Sequence, residues 1–135
     1  MSEIAFTSLV DSIVTEVEIV SRHSENKQKI KVNALIDTGA TDIFINPDVA
    51  DRLKANISSS GLTHTANGPV KAGSCIITLD FCGYTFYNVK AFILPNMHSD
   101  LLLGMNILNT GNSSIRTDAG VTIFSFEKVI KPLII

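Results

Sequence analysis

The sequence is short of cysteine, of net charge and of long apolar runs, and each shortage excludes something. Two cysteines in 135 residues do not make a disulfide framework. If Cys75 and Cys82 lie on one extended run, at ~3.3 Å per residue they stand about 20 Å apart, far beyond the ~7 Å that a bridge spans. They read as free, packed thiols. Lys and Arg number 11 against 13 Asp and Glu, a net charge of −2, so no basic excess marks a nucleic-acid surface. No stretch approaches the ~20 consecutive apolar residues of a membrane span. The first residues, Met1-Ser2-Glu3-Ile4-Ala5-Phe6, lack the basic start and apolar core of a signal peptide. A cytoplasmic chain with no membrane segment is the expectation, and the sequons at Asn56 and Asn112 then carry little weight. His23, His64 and His98 share no metal-ligand spacing and sit in polar segments, so surface histidines and no metal site are expected.

What is present is β-forming. Hydrophobic content of 45% with 18% charged suits a globular chain, and the length suits one domain over residues 1–135. Residues 13–20 alternate, with Ile13, Thr15, Val17 and Ile19 on one side, as a half-buried strand does. A polar hairpin loop follows, and Lys29 opens a second strand that ends at Ile36. Residues 43–45 form a short strand. Asn46-Pro47-Asp48 then opens a helix: Asn46 as its cap, Pro47 in its first position, Asp48 at its positive end. Residues 56–61 read as a polar loop, and residues 62–81 as a long hairpin turning at Asn67-Gly68-Pro69. Cys82-Gly83 turns the chain again into a strand that Pro95 stops. Leu101-Leu102-Leu103 is a short buried strand, and Met105 begins a short helix or turn. Two paired strands around Asp118-Ala119-Gly120 and an apolar tail from Lys131 complete the chain. Short strands at regular spacing predict a closed or sandwich-like all-β fold with one or two short helices.

Against that background stands Asp37-Thr38-Gly39-Ala40. The apolar run Ala34-Leu35-Ile36 precedes it, and Thr41-Asp42-Ile43-Phe44 follows. A carboxylate at the end of a buried strand is costly unless the site needs it. Held by a hydroxyl and a glycine turn, it is placed for proton chemistry on an amide. The plainer reading is a turn Asp satisfied by backbone. A lone Asp-Thr-Gly triplet occurs by chance in many turns, so other segments must support it.

Two do. Asp37-Thr38-Gly39-Ala40 resembles the active-site signature of retropepsin-like aspartic proteases. Asp100-Leu101-Leu102-Leu103-Gly104-Met105-Asn106 resembles the apolar-apolar-Gly segment that packs behind the catalytic loop in that family, with Met105 before Asn106 as in its bacterial members. Thr65-Ala66-Asn67-Gly68 resembles the flap of those members. The order and spacing of the three fit, and the likeness spans residues 29–126. It implies a retropepsin-like closed β-barrel with a flap hairpin. It also implies an endopeptidase that uses no metal or organic cofactor and acts on a peptide or protein substrate, with no nucleic-acid partner. Catalysis would fall to Asp37, Thr38 and Gly39, and substrate contact to Ala40, Thr41, Asp42, Thr65, Ala66, Asn67 and Gly68. Leu102, Leu103 and Gly104 would support the loop.

One Asp is half of the required machinery. Amide hydrolysis needs water deprotonated on one side and the carbonyl oxygen and leaving nitrogen protonated on the other. Two neighbouring carboxylates sharing a proton supply both, because like charges so close do not both ionise easily. Asn109-Thr110-Gly111 is no second copy, since Asn is not an acid. A second Asp37 must come from a second chain, so a homodimer is expected, with Val129 and the tail as one candidate interface. The leading rival is a dimeric peptide-binding module that grips without cutting. A weaker one is a structural barrel with an accidental Asp-Thr-Gly turn.

Overall fold

The computed structural model describes residues 2–22, 29–65 and 67–129. The chain folds as a closed barrel of six strands with a flap hairpin at one end and a second, smaller sheet. The barrel is laid down by β2 (Val14–Ser21), β3 (Ile30–Ile36), β4 (Ile43–Ile45), β6 (Gly68–Phe81), β7 (Tyr84–Ile93) and β8 (Leu101–Leu103). Their order around the wall is β2-β3-β8-β4-β7-β6, and β6 pairs back onto β2 to close it. The wall is antiparallel except where β3 runs parallel to β8 and β4 parallel to β7.

Alternation in β2 decides its register. Ile13, Val17 and Ile19 are buried as the pattern predicts, and Ile19 sits opposite both Ile30 of β3 and Leu79 of β6. A slip of one residue would turn all of them to solvent. In the short strands the run is apolar throughout, and β4 is buried on every residue. Such strands read as continuous hydrophobic runs because both faces are covered.

The smaller sheet has the order β1-β10-β9, from Ser2–Ala5, Val121–Lys128 and Gly111–Asp118. Phe124 and Phe126 of β10 reach into the barrel core, where the Phe126 ring lies 5.2 Å from Phe81 and edge-on to Tyr84 at 5.8 Å. Such tilted and edge-on ring pairs add to the stabilisation that burial gives. β1 has no sequence pattern of its own; it exists because β10 offers it an edge, with Ser2 opposite Phe126.

The helix predicted at Asn46 is present as α1 (Pro47–Leu53). The Val49 N–H donates to Asn46 Oδ1 at 2.8 Å, and Val49, Ala50 and Leu53 are buried. The second, α2 (Met105–Leu108), begins directly after Gly104. Asn109 is its C-cap and Gly111 already begins β9, so Asn109-Thr110-Gly111 joins a helix end to a strand. Cys82 and Gly83 both have positive φ, 51° and 79°, which matches the twist that a two-residue hairpin turn requires.

Two expectations need correction. The polar stretch 56–61 is not a loop throughout: β5 (Ser58–Thr65) begins inside it. Backbone pairing with β6 through Ser58–Ser74 and Gly61–Ala72 needs no apolar side chain, so composition hid it. Of Asn67-Gly68-Pro69 only Asn67 is in the hairpin turn, and Gly68 and Pro69 already belong to β6. Gly68 is already paired with Thr65, and Pro69 with His64. The segment 23–28, which includes His23, and the tail 130–135 lie outside the described residues.

Cys75 is buried and Cys82 half-buried, and both are free. Burial pushes each thiol up to about 11. The thiolate is the reacting form. Both should therefore resist iodoacetamide at about pH 8 in the native protein and react fully in denaturant, as intact-mass spectrometry would show. Replacing Asn46 by Ala removes the cap of α1 and should cost about 1 kcal/mol, read as a lower urea midpoint at unchanged m.

Candidate active site

The Asp37 turn is held by backbone from several directions. Ile36, the last residue of β3, donates its N–H to Ile13 O at 2.9 Å. Asp37 donates its own N–H to Leu103 O at 3.0 Å, continuing the parallel β3–β8 ladder by one step. Ala40 N–H returns to Asp37 O at 3.2 Å and closes the turn. Within it, Gly39 N–H donates to Asp37 Oδ1 at 2.9 Å. The carboxylate is thus fixed by its own turn, as an Asp two residues before a donor commonly is. Asp37 is half-buried, while Thr38 and Gly39 are exposed.

Behind the turn lies the segment expected to support it. Leu103 is fully buried, and Leu102 packs with Ala40, Phe44 and Phe92. Gly104 lies against the backbone of the loop. A Cβ there would clash with Asp42 O, well inside van der Waals contact, and lie 2.7 Å from Ala40 O. This close approach lets the start of α2 bond the loop: Met105 N–H donates to Ala40 O at 2.8 Å and Asn106 N–H to Thr41 O at 3.0 Å. Loop carbonyls and helix-start N–H groups satisfy each other, as buried backbone groups must.

In front of the turn is a cleft of about 390 Å³. Asp37, Ala40, Phe44, Val70, Leu94, Met97 and Leu102 line it, with Asn67, Pro95 and Asn96. Its wall is mostly apolar with one acid at the base, and Asn67 of the flap hairpin borders the same space as Asp37. Gly68 allows the hairpin its sharp return, with φ of 105°. Ala66 and the side chain of Thr65 lie outside what is described.

Thr41 and Asp42 face the flap strand. Thr63 of β5 donates its hydroxyl to Asp42 Oδ2 at 2.7 Å. The Thr41 hydroxyl lies 3.2 Å from the same oxygen and 3.4 Å from His64 O. Among the described residues no group of three His, Cys, Asp or Glu is positioned to hold a metal, and no helix is long and apolar enough to cross a membrane.

Two sets of residues were missed by the sequence reading. Phe44, Val70, Leu94 and Met97 build the cleft wall from three separate parts of the chain, so no local motif announced them. Thr63 sits in the flap strand as an ordinary alternating threonine.

The model of the family described as "gag-polyprotein putative aspartyl protease" matches residues 24–110, a span that contains the Asp37 turn, the flap and the Gly104 segment. The chain belongs to this family of retropepsin-like aspartic proteases. An uncharacterized protein of Rickettsia prowazekii (strain Madrid E) is 34% identical over 83 residues, covering 58% of this chain and 36% of that protein. This protease-family chain therefore spans about a third of the length of the curated relative it matches. Among solved structures, EIAV protease complexed with the inhibitor HBY-793 superposes with a TM-score of 0.58 at 21% identity, over 78% of this chain and 92% of that one. A retropepsin-like aspartic protease from Rickettsia conorii superposes with a TM-score of 0.49 at 24% identity, over 86% and 96%. The likeness to EIAV protease is one of fold, and the fold is the retropepsin barrel predicted from the sequence.

Gly104→Ala should be among the most damaging single changes in this protease fold, costing at least ~3 kcal/mol because the clash is with backbone rather than a movable side chain. Urea unfolding followed by near-UV circular dichroism would check this against Gly120→Ala. A Cβ at Gly120 meets nothing within 4 Å, although its φ of 82° adds some strain.

Proposed function

We propose that this chain is one half of an aspartic endopeptidase, a single domain over residues 1–135 that hydrolyses peptide bonds as a homodimer. The observation that carries the reading is the position of Asp37. Its carboxylate sits on a backbone-anchored turn, at the base of an apolar cleft, under a hairpin that can cover it.

Asp37 supplies one carboxylate of a proton-sharing pair, and the same residue of a second copy supplies the other. One carboxylate takes a proton from water as the water attacks. The other gives its proton to the carbonyl oxygen, and later a proton reaches the leaving nitrogen. The pair then titrates as a unit. Thr38 and Gly39 are exposed, which suits a loop that meets its symmetry mate and a substrate backbone. Thr38 bonds across the axis, and Gly39 and Ala40 allow the close approach. Thr41 and Asp42 border the peptide backbone, and Thr65, Ala66, Asn67 and Gly68 close over it and exclude water. A cleft of about 390 Å³ walled by Phe44, Val70, Leu94 and Met97 suits a large apolar side chain next to the scissile bond.

The test is cleavage of an unstructured protein by wild type and Asp37→Asn, from about pH 4 to 7, at two enzyme concentrations. The expected result is cleavage by wild type that rises more than proportionally with concentration. Asp37→Asn should lose at least ~100-fold, the scale of a general base. Equal cleavage by both proteins would remove Asp37 as the catalyst. Binding of a peptide without cleavage by either would favour the binding-module reading.

A further inference from the structure

We infer that Asp42 and Thr63 form a latch that fastens the base of the flap hairpin to the Asp37 loop, so that Asp42 is a positioning residue for the flap. The inference rests on the endopeptidase reading for its effect on turnover; its effect on the hairpin does not depend on that reading.

The geometry comes from both sides of the contact. Among the described residues β5 pairs laterally with β6 alone and is the free end of the sheet. The pairing is broken by a register shift between Ser58 and Gly61. An edge strand with an interrupted ladder holds its position weakly and needs a second attachment if it is to stay in one place. The side chain that supplies it is Thr63, 2% exposed in a hairpin strand whose neighbours Leu62 and His64 are exposed. A buried hydroxyl requires an acceptor. Here the acceptor is Asp42 Oδ2 at 2.7 Å, a hydrogen bond to a charged oxygen.

The loop end of the latch is equally fixed. Asp42 follows Ala40 and Thr41, whose carbonyls take the Met105 and Asn106 N–H groups, and its backbone lies against Gly104. The Thr41 hydroxyl shares one proton between Asp42 Oδ2 at 3.2 Å and His64 O at 3.4 Å. Two adjacent loop residues therefore meet two adjacent strand residues. Among the described residues the side-chain bonds of Asp42 fall on Oδ2. A movement of β5 away from the loop breaks both contacts, and a movement of the loop is transmitted to β5 by the same two. The latch couples the height of the flap to the turn that carries Asp37.

Thr63→Val tests this with little change of volume, because it removes the hydroxyl and keeps the shape. Asp42 is half-buried, so its carboxylate keeps some contact with solvent in the variant. Hydrogen exchange by mass spectrometry should show amides in residues 61–65 and 67–72 exchanging about tenfold faster, the low end of what a hydrogen bond to a charged group contributes. The β9–β10 hairpin should be unchanged. Thr63→Ser should restore the wild-type rate. In the cleavage assay Thr63→Val should raise KM severalfold with kcat changed less, since it alters closure and leaves the carboxylates in place. Unchanged exchange in the hairpin would overturn the latch, as would Thr63→Ser behaving like Thr63→Val. Faster exchange in a wild-type-like protein that cleaves nothing would uphold the latch while rejecting the protease reading, so the two failures are separable.

Discussion

The contact on which the site depends is backbone against backbone: residues 40–42 of the Asp37 loop lying directly on Gly104. No side chain fits between them. Because nothing does, two consecutive N–H groups at the start of α2 reach two consecutive loop carbonyls. An isolated glycine-containing turn would sample many conformations at a cost of about 1–2 kcal/mol of backbone entropy per residue when fixed. Here the fixing is done by β8 in the barrel wall and by α2, whose Ile107 and Leu108 are buried in the core. The carboxylate of Asp37 is held still by a chain of hydrogen bonds whose far end is the hydrophobic core. A rigid element that carries a polar group at an opening is the arrangement catalysis asks of a scaffold.

Much of this was legible because the decisive elements are local. The Asp37 signature, the apolar Leu101-Leu102-Leu103 run, the Asn46-Pro47 cap and the Cys82-Gly83 turn each carry their physics within a few residues. The parts that were not legible depend on partners far away in the chain. β1 is created by the edge of β10, more than a hundred residues later. The start of β5 is polar in composition and is a strand only because β6 lies beside it. The cleft wall draws Phe44 from β4, Val70 from β6, and Leu94 and Met97 from the segment after β7. No window of sequence contains those four together. Gly68 and Pro69 were assigned to the turn because Asn-Gly is a strong local signal, while the register that puts them in β6 is set by the whole β5–β6 ladder.

The barrel and the smaller sheet divide the work of stability. Phe81, Phe124 and Phe126 bring the core of the barrel and the face of β10 into one cluster, so β10 is buried over most of its length while β9 is exposed over nearly all of its own. The sheet therefore seals the barrel with one strand. The wall strands near the site are short, three residues each in β4 and β8. They hold their place through burial on both faces rather than through length.

The two acids of the loop show how position decides role. Asp37 bonds an N–H of its own turn and looks into the cleft, so its surroundings leave it directed at whatever enters. Asp42 bonds hydroxyls, one of them buried in another strand, so its surroundings direct it at the flap. A lid must open, and lids are drawn from the least stable parts of a fold. A lid over a reacting bond must also return to one position, because misplacement of about 1 Å is costly to catalysis. An edge strand meets the first requirement and fails the second by itself. A carboxylate–hydroxyl bond at the base of that strand meets the second without removing the first, since a single hydrogen bond of this kind opens readily on the timescale of loop motion.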